Sequence, residues 1–105
     1  MRSVVFGNLI VCKHVFDNYP SRFPHQSRDL DFDNREDRIE IARFIKSVID
    51  CSVKVEKPDG QTIFVYMPQD APPVAFPADI GPTRTKIVTS YPAGPSLVNK
   101  AKLLQ

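Results

Sequence analysis

The run Arg35-Glu-Asp-Arg-Ile-Glu-Ile-Ala-Arg-Phe-Ile-Lys-Ser-Val-Ile-Asp50 decides how this chain folds. Ile41, Ala42, Ile45, Val48 and Ile49 recur at three- and four-residue spacing, and Phe44 widens their stripe. Residues spaced this way share one face of an α-helix. Arg38, Glu40, Arg43, Lys46 and Ser47 fill the other side, and no glycine or proline interrupts the run. Asp33 is the expected N-cap, with Glu36 three residues on in the capping-box position. A helix of this kind needs a flat apolar surface to cover its stripe, and strands supply one.

The flanking segments read as those strands. Downstream, Val53 and Val55 alternate with Lys54 and Glu56, Pro58-Asp-Gly60 is a strong turn signal, and Thr62 to Met67 returns, so Ser52 to Met67 is a β-hairpin. Upstream, Ser3 to Phe16 is apolar and β-branched. Gly7-Asn8 interrupts it, giving one bulged strand or two short ones. Asp17 to His25 holds Pro20, Pro24 and several turn formers and reads as a loop, continued by the polar stretch to Asn34. Residues 68–82, with Pro72-Pro73, Pro77 and Gly81-Pro82, read as one long proline-rich connection. Connections of that length are often functional. Thr83 to Pro92 is a further strand, and Ser96 to Leu104 is a short basic helix or a tail. The expected fold is therefore α+β: one long helix (35–50) packed on a twisted antiparallel sheet of about four strands. Residues 1–34 supply strand and loop, and 52–105 supply the remaining strands.

Composition bounds the rest. A chain of 105 residues has room for a single domain, 1–105. Its 42% hydrophobic and 25% charged residues are those of an ordinary globular protein, and a formal charge of +2 permits a polyanionic partner without requiring one. Cys12 and Cys51 lack metal-finger spacing and read as two buried free thiols, with one disulfide as the alternative. The apolar run Val4 to Val11 is too short to span a bilayer and lacks the features of a signal peptide. A soluble chain acting in the cytoplasm is expected, either free or delivered as part of a larger secreted protein.

Several chemistries are excluded by motif. No P-loop, GxGxxG or GxSxG is present. Asp29, Asp31 and Asp33 alternate, but lack the glycine and closing glutamate of a calcium loop, so capping and solvation explain them better. No cofactor or metal is expected. The candidates that remain are few. His14 and His25 are the side chains best suited to moving protons near neutral pH. In an extended strand Ile87, Thr89 and Tyr91 share one face, and Arg84, Lys86, Val88 and Ser90 share the other. Arg84 and Lys86 are cations of the kind that stabilise charge building up on a phosphorus centre. Arg22, Arg28 and Lys54 are weaker candidates of the same kind.

The segment Lys86-Ile-Val-Thr-Ser-Tyr-Pro92, with a histidine early in the chain and a helix laid on an antiparallel sheet, resembles the barnase–EndoU–colicin–RelE-like toxin ribonucleases. Several polymorphic and contact-dependent inhibition toxin domains in that group end their sheet with a similar strand. The resemblance implies cleavage of RNA, tRNA or rRNA, without a metal. Its EndoU-type members use two histidines, a lysine and a Thr/Ser-x-Tyr pair. Here these correspond to His14, His25, a lysine (Lys54 or Lys86), and Thr89 with Tyr91. Arg84 and Ser90 would contact the phosphate. It also implies a dedicated neutralising immunity or antitoxin protein. The alternative class is a non-catalytic protein-binding module, such as an antitoxin or immunity-type protein, for which the acidic stretch Asp29 to Asp37 would be suited.

Overall fold

A computed structural model of the chain describes residues 3–24, 30–31 and 33–105. His25 and Arg28, two of the candidates above, lie outside the described residues. The fold is α+β, with three helices and a seven-stranded sheet among the described residues. One helix, α1, and one strand, β5, come from segments read above as loop; the other strands beyond the four expected come from the 3–16 segment splitting into two and the 83–92 strand breaking in two.

The chain opens with a hairpin of β1 (Val4–Phe6) and β2 (Leu9–Val11), closed at Gly7, whose φ of 63° suits glycine. It then enters α1 (Lys13–Arg22), where a loop was expected. Val15, Phe16 and Tyr19, with Cys12 before them and Phe23 after, are all buried at helical spacing. That burial outweighs Pro20, which sits in the last helical turn and removes one intrahelical hydrogen bond. The second helix, α2 (Arg35–Asp50), has the limits expected from its stripe, and Ile41, Ala42, Ile45, Val48 and Ile49 are its buried residues.

The cap of α2 falls one residue later than expected. Asn34, not Asp33, accepts hydrogen bonds from the Glu36 and Asp37 backbone N–H groups, at 2.8 and 3.2 Å. Replacing Asn34 with alanine removes both and is expected to cost about 1 kcal/mol in urea unfolding. An unchanged midpoint would place the cap elsewhere.

After α2 come β3 (Val53–Glu56), β4 (Thr62–Tyr66), β5 (Val74–Ile80), β6 (Thr85–Ile87), β7 (Tyr91–Pro92) and α3 (Pro95–Leu104). The sheet order is β1-β2-β6-β5-β4-β3, with β7 also on β5. It is mixed rather than antiparallel, because β2 and β6 run parallel. The expected proline-rich connection in fact holds β5, an interior strand with Pro77 in its middle.

An interior proline needs a gap in the ladder, and the neighbouring strand provides one. In an antiparallel pair the N and C=O of one residue point to the same neighbour. The Pro77 carbonyl accepts from Val88 N–H at 3.0 Å, so its donorless nitrogen faces the same strand. There β6 stops at Ile87 and pairing resumes only at Tyr91. Three steps along β5, from Ala78 to Ala75, match four steps from Ile87 to Tyr91. The extra residue makes Val88–Ser90 a β-bulge.

The bulge also changes which residues share a face. Paired residues project to the same side of a sheet. Ile87 lies with Ala78, Phe76, Val11 and Leu9 on the side covered by α1 and α2. Tyr91 pairs with Ala75, which belongs to the core under α3 with Val55, Ile63, Val65 and Ala101. A regular strand would have put Ile87, Thr89 and Tyr91 together. The bulged one puts Tyr91 on the side of Lys86, whose partners in register are Ile10 and Asp79.

Candidate functional site

Helix α1 continues the line of β2 and runs beside the bulge. Cys12, the residue between the two elements, donates its N–H to the Ile87 carbonyl at 3.1 Å. The helix therefore starts where β6 ends. One turn in, Asn18 Nδ2 donates to Thr89 Oγ1 at 3.2 Å and to the Ser90 carbonyl at 3.3 Å. One turn further, Arg22 Nη2 reaches the same carbonyl at 3.5 Å. Bulged backbone groups, left without a strand partner, thus find helix side chains instead. Residues four apart on a helix are neighbours, so His14, Asn18 and Arg22 form one line along α1. Asn18 and Arg22 fix that line against the bulge, and His14 stands at its start.

His14 is 68% exposed at its side chain, with Nδ1 3.9 Å from Asp17 Oδ2. Asp17 also takes the Lys13 ammonium at 2.9 Å. An imidazole so placed is open to a ligand, and the nearby carboxylate, engaged by Lys13, lies beyond hydrogen-bond distance of the ring. Ser90 is buried, 3% exposed, so it supports the bulge more than it presents a hydroxyl. Tyr91 is 37% exposed on the other side of the sheet. Arg84 is exposed in the turn before β6, where its carbonyl accepts from Gly81 N–H at 2.8 Å.

The two candidate lysines separate clearly. Lys86 is exposed on β6, and its charge is felt at Cys12, two residues before His14. Lys54 is on edge strand β3, three strands from β6 and so about 14 Å away at ordinary strand spacing. It lies 3.7 Å from Glu56. Lys86, not Lys54, belongs to the His14 end of the molecule. The structure thus draws His14 and Thr89 to one strip through Asn18, whereas Lys86 projects from the opposite side of the sheet, the side of Tyr91. Tyr91 is set on the opposite side of the sheet from Thr89's helix partner. Asn18 was not singled out from sequence. Its four-residue spacing from His14 and Arg22 was the available signal, hidden while 17–25 read as a loop.

Burial raises the pKa of the Cys12 thiol. Lys86 opposes this and Asp79 adds to it. Both cysteines are free, but only Cys12 is buried; Cys51 is exposed where the chain leaves α2. A thiol reagent at neutral pH is therefore expected to label Cys51 in the folded protein and Cys12 only after denaturant is added. Equal labelling rates would contradict this placement. Among the described residues no three His, Cys, Asp or Glu side chains gather as a metal site requires, and no helix is long and apolar enough to cross a membrane.

Comparison with protein-family models, with curated proteins and with solved structures finds no match.

Proposed function

We propose that the protein is an endoribonuclease of the toxin type, acting on RNA at the strip between α1 and the bulge. The observation that carries this reading is the Asn18 bridge to Thr89 and Ser90, which holds the His14 line of α1 against the motif-bearing strand. His14 takes the proton of a ribose 2′-hydroxyl, whose oxygen attacks the adjacent phosphorus. The new P–O2′ bond forms as the P–O5′ bond breaks. The departing 5′-oxygen takes its proton from a second acid, His25, since Tyr91 stands on the other side of the sheet from the α1 strip. The products are a 2′,3′-cyclic phosphate and a 5′-hydroxyl. Arg84, exposed in the turn before β6, holds the phosphate and stabilises the charge that builds on its oxygens, while Lys86, on the other side of the sheet, adds positive charge nearby rather than a contact. Thr89, already in a hydrogen bond to Asn18, fixes the substrate backbone with it.

This chemistry places the site of action in the cytoplasm, where tRNA and rRNA are found. It also calls for a neutralising partner, whose acidic surface would cover Arg84, Lys86 and the α1 start. Purified protein is expected to degrade total tRNA or rRNA in EDTA and to leave DNA intact, because DNA lacks the attacking hydroxyl. Intact RNA across a broad set of substrates would reject this reading and favour the non-catalytic binding module.

A further inference from the structure

Strand β1 lies at one edge of the sheet, and the hydrogen bonds further in fix which of its backbone groups face outward. Thr85 N–H donates to the Asn8 carbonyl at 2.8 Å, and Cys12 N–H donates to the Ile87 carbonyl at 3.1 Å. Asn8 and Cys12 therefore turn their backbone groups toward β6. That direction alternates along a strand, so Ile10 also turns toward β6, whereas Leu9 and Val11 turn toward β1. Val5 lies opposite Ile10 in register. Opposed residues of an antiparallel pair either bond each other or both face away. Val5 thus points its N–H and C=O to the free edge, with no backbone partner among the described residues.

The two edges of the sheet are built differently. On β3, Lys57 N–H donates to the Gln61 carbonyl at 2.8 Å, so by the same alternation Lys54 and Glu56 carry the outward backbone groups. Charged side chains there, with Pro58 just beyond, guard an edge against pairing with another strand. Strand β1 reads Val4-Val5-Phe6 and has neither charge nor proline. The Val5 side chain is 52% exposed. It shares its side of the sheet with Ile10 and Lys86, while α3 packs at the far end, on β3 and β4. A bare apolar edge of this kind is a template for an extended strand.

We infer that β1 is the seam between two copies of this chain, paired antiparallel about a two-fold axis at Val5. Such self-pairing needs a central residue whose N–H and C=O both face outward, so that the two copies bond each other reciprocally there. Val5 meets that condition. Phe6 of each copy then lies opposite Val4 of the other. Both residues are half-buried and pack against the core under α2, so the joined sheet extends that core. On the other side of the sheet the two Val5 side chains meet beside Ile10. The missing charges decide the occupant. Charges on an edge select a different protein, and β1 has none to offer. Identical strands require their absence, because like charges placed directly opposite repel. Arg43 does overhang the seam, 5.9 Å from the Phe6 ring centroid, and salt screens the repulsion between two such groups. The seam is short, so the association is weak and depends on concentration.

The test is sedimentation equilibrium of the full chain in about 0.5 M salt, from about 10 µM to about 1 mM protein. Amide exchange is followed by NMR at both ends of that range. The average mass is expected to rise from one chain toward two, and exchange of the Val5 amide to slow as concentration rises. The Lys54 amide, outward on the other edge, should exchange at a rate that concentration does not change. Val5→Lys sets two ammonium groups face to face and should hold the protein at the single-chain mass throughout. Val5→Pro removes the outward N–H, a change that edge strands accept, and should do the same. The exchange pattern needs no variant, so a misfolded substitution leaves the test standing. A single-chain mass at every concentration would overturn the inference and leave β1 to a strand of another protein. Association that survives both substitutions, or slowed exchange at Lys54 in place of Val5, would also overturn it.

Discussion

Phe76→Ala is expected to lower the unfolding free energy by about 3–5 kcal/mol, the cost of truncating a buried aromatic. Phe76 is fully buried, at 0% exposure, in the middle of β5. It faces Phe64 across the ladder and lies parallel to Phe23, with ring centroids 6.2 Å apart and planes 12° apart. It therefore joins the sheet to the end of α1. A domain of this size has a total stability of roughly 5–15 kcal/mol, so the variant would sit near its folding threshold. Urea unfolding should show a large fall in midpoint at an unchanged slope. A change within about ±0.5 kcal/mol, the range of surface substitutions, would mean that 74–80 is a surface connection after all.

The second large effect is on activity. His14→Ala is expected to reduce RNA cleavage about 10²–10⁴-fold, the usual contribution of a general base. Because His14 is exposed and its ring packs in no core cluster, the same variant should unfold within about ±0.5 kcal/mol of the parent. That combination separates a catalytic role from a structural one. Asn18→Ala should act differently. It leaves the proton-transfer group in place but frees Thr89 and the Ser90 carbonyl, so both stability and cleavage fall. Full cleavage by His14→Ala would remove the imidazole from the reaction.

What the sequence made legible, and what it hid, has a physical pattern. The limits of α2 were readable because its stripe is regular and free of proline, and the β3–β4 hairpin because Pro58-Asp-Gly60 marks its turn. Both missed elements contain a proline that local rules treat as a breaker. In α1 the stripe Cys12, Val15, Phe16, Tyr19 and Phe23 was present, but Pro20 and Pro24 argued against it. In β5, Pro77 is tolerated only because Val88–Ser90 bulges opposite it, a pairing between segments that no local window contains. The same bulge decided the faces of the motif strand. Alternation from Ile87 to Tyr91 fails at that point, so Thr89 and Tyr91 could not be sorted from spacing alone. His14 was legible as a proton-transfer candidate, whereas its place on a line with Asn18 and Arg22 required the helix. The hollow lined by Arg22, Phe44, Tyr66 and Asp70 joins α1, α2, β4 and the 68–73 segment, and no single stretch foreshadowed it.

The most direct measurement is the fate of one short RNA, incubated with the protein in EDTA beside an otherwise identical strand carrying a single 2′-deoxy substitution at the cleaved position. The expected result is cleavage of the first to fragments ending in a 2′,3′-cyclic phosphate and beginning with a 5′-hydroxyl. The deoxy strand should remain intact, as should both strands with His14→Ala. Cleavage of the deoxy strand, fragments carrying a 5′-phosphate, or no cleavage of either strand would contradict it.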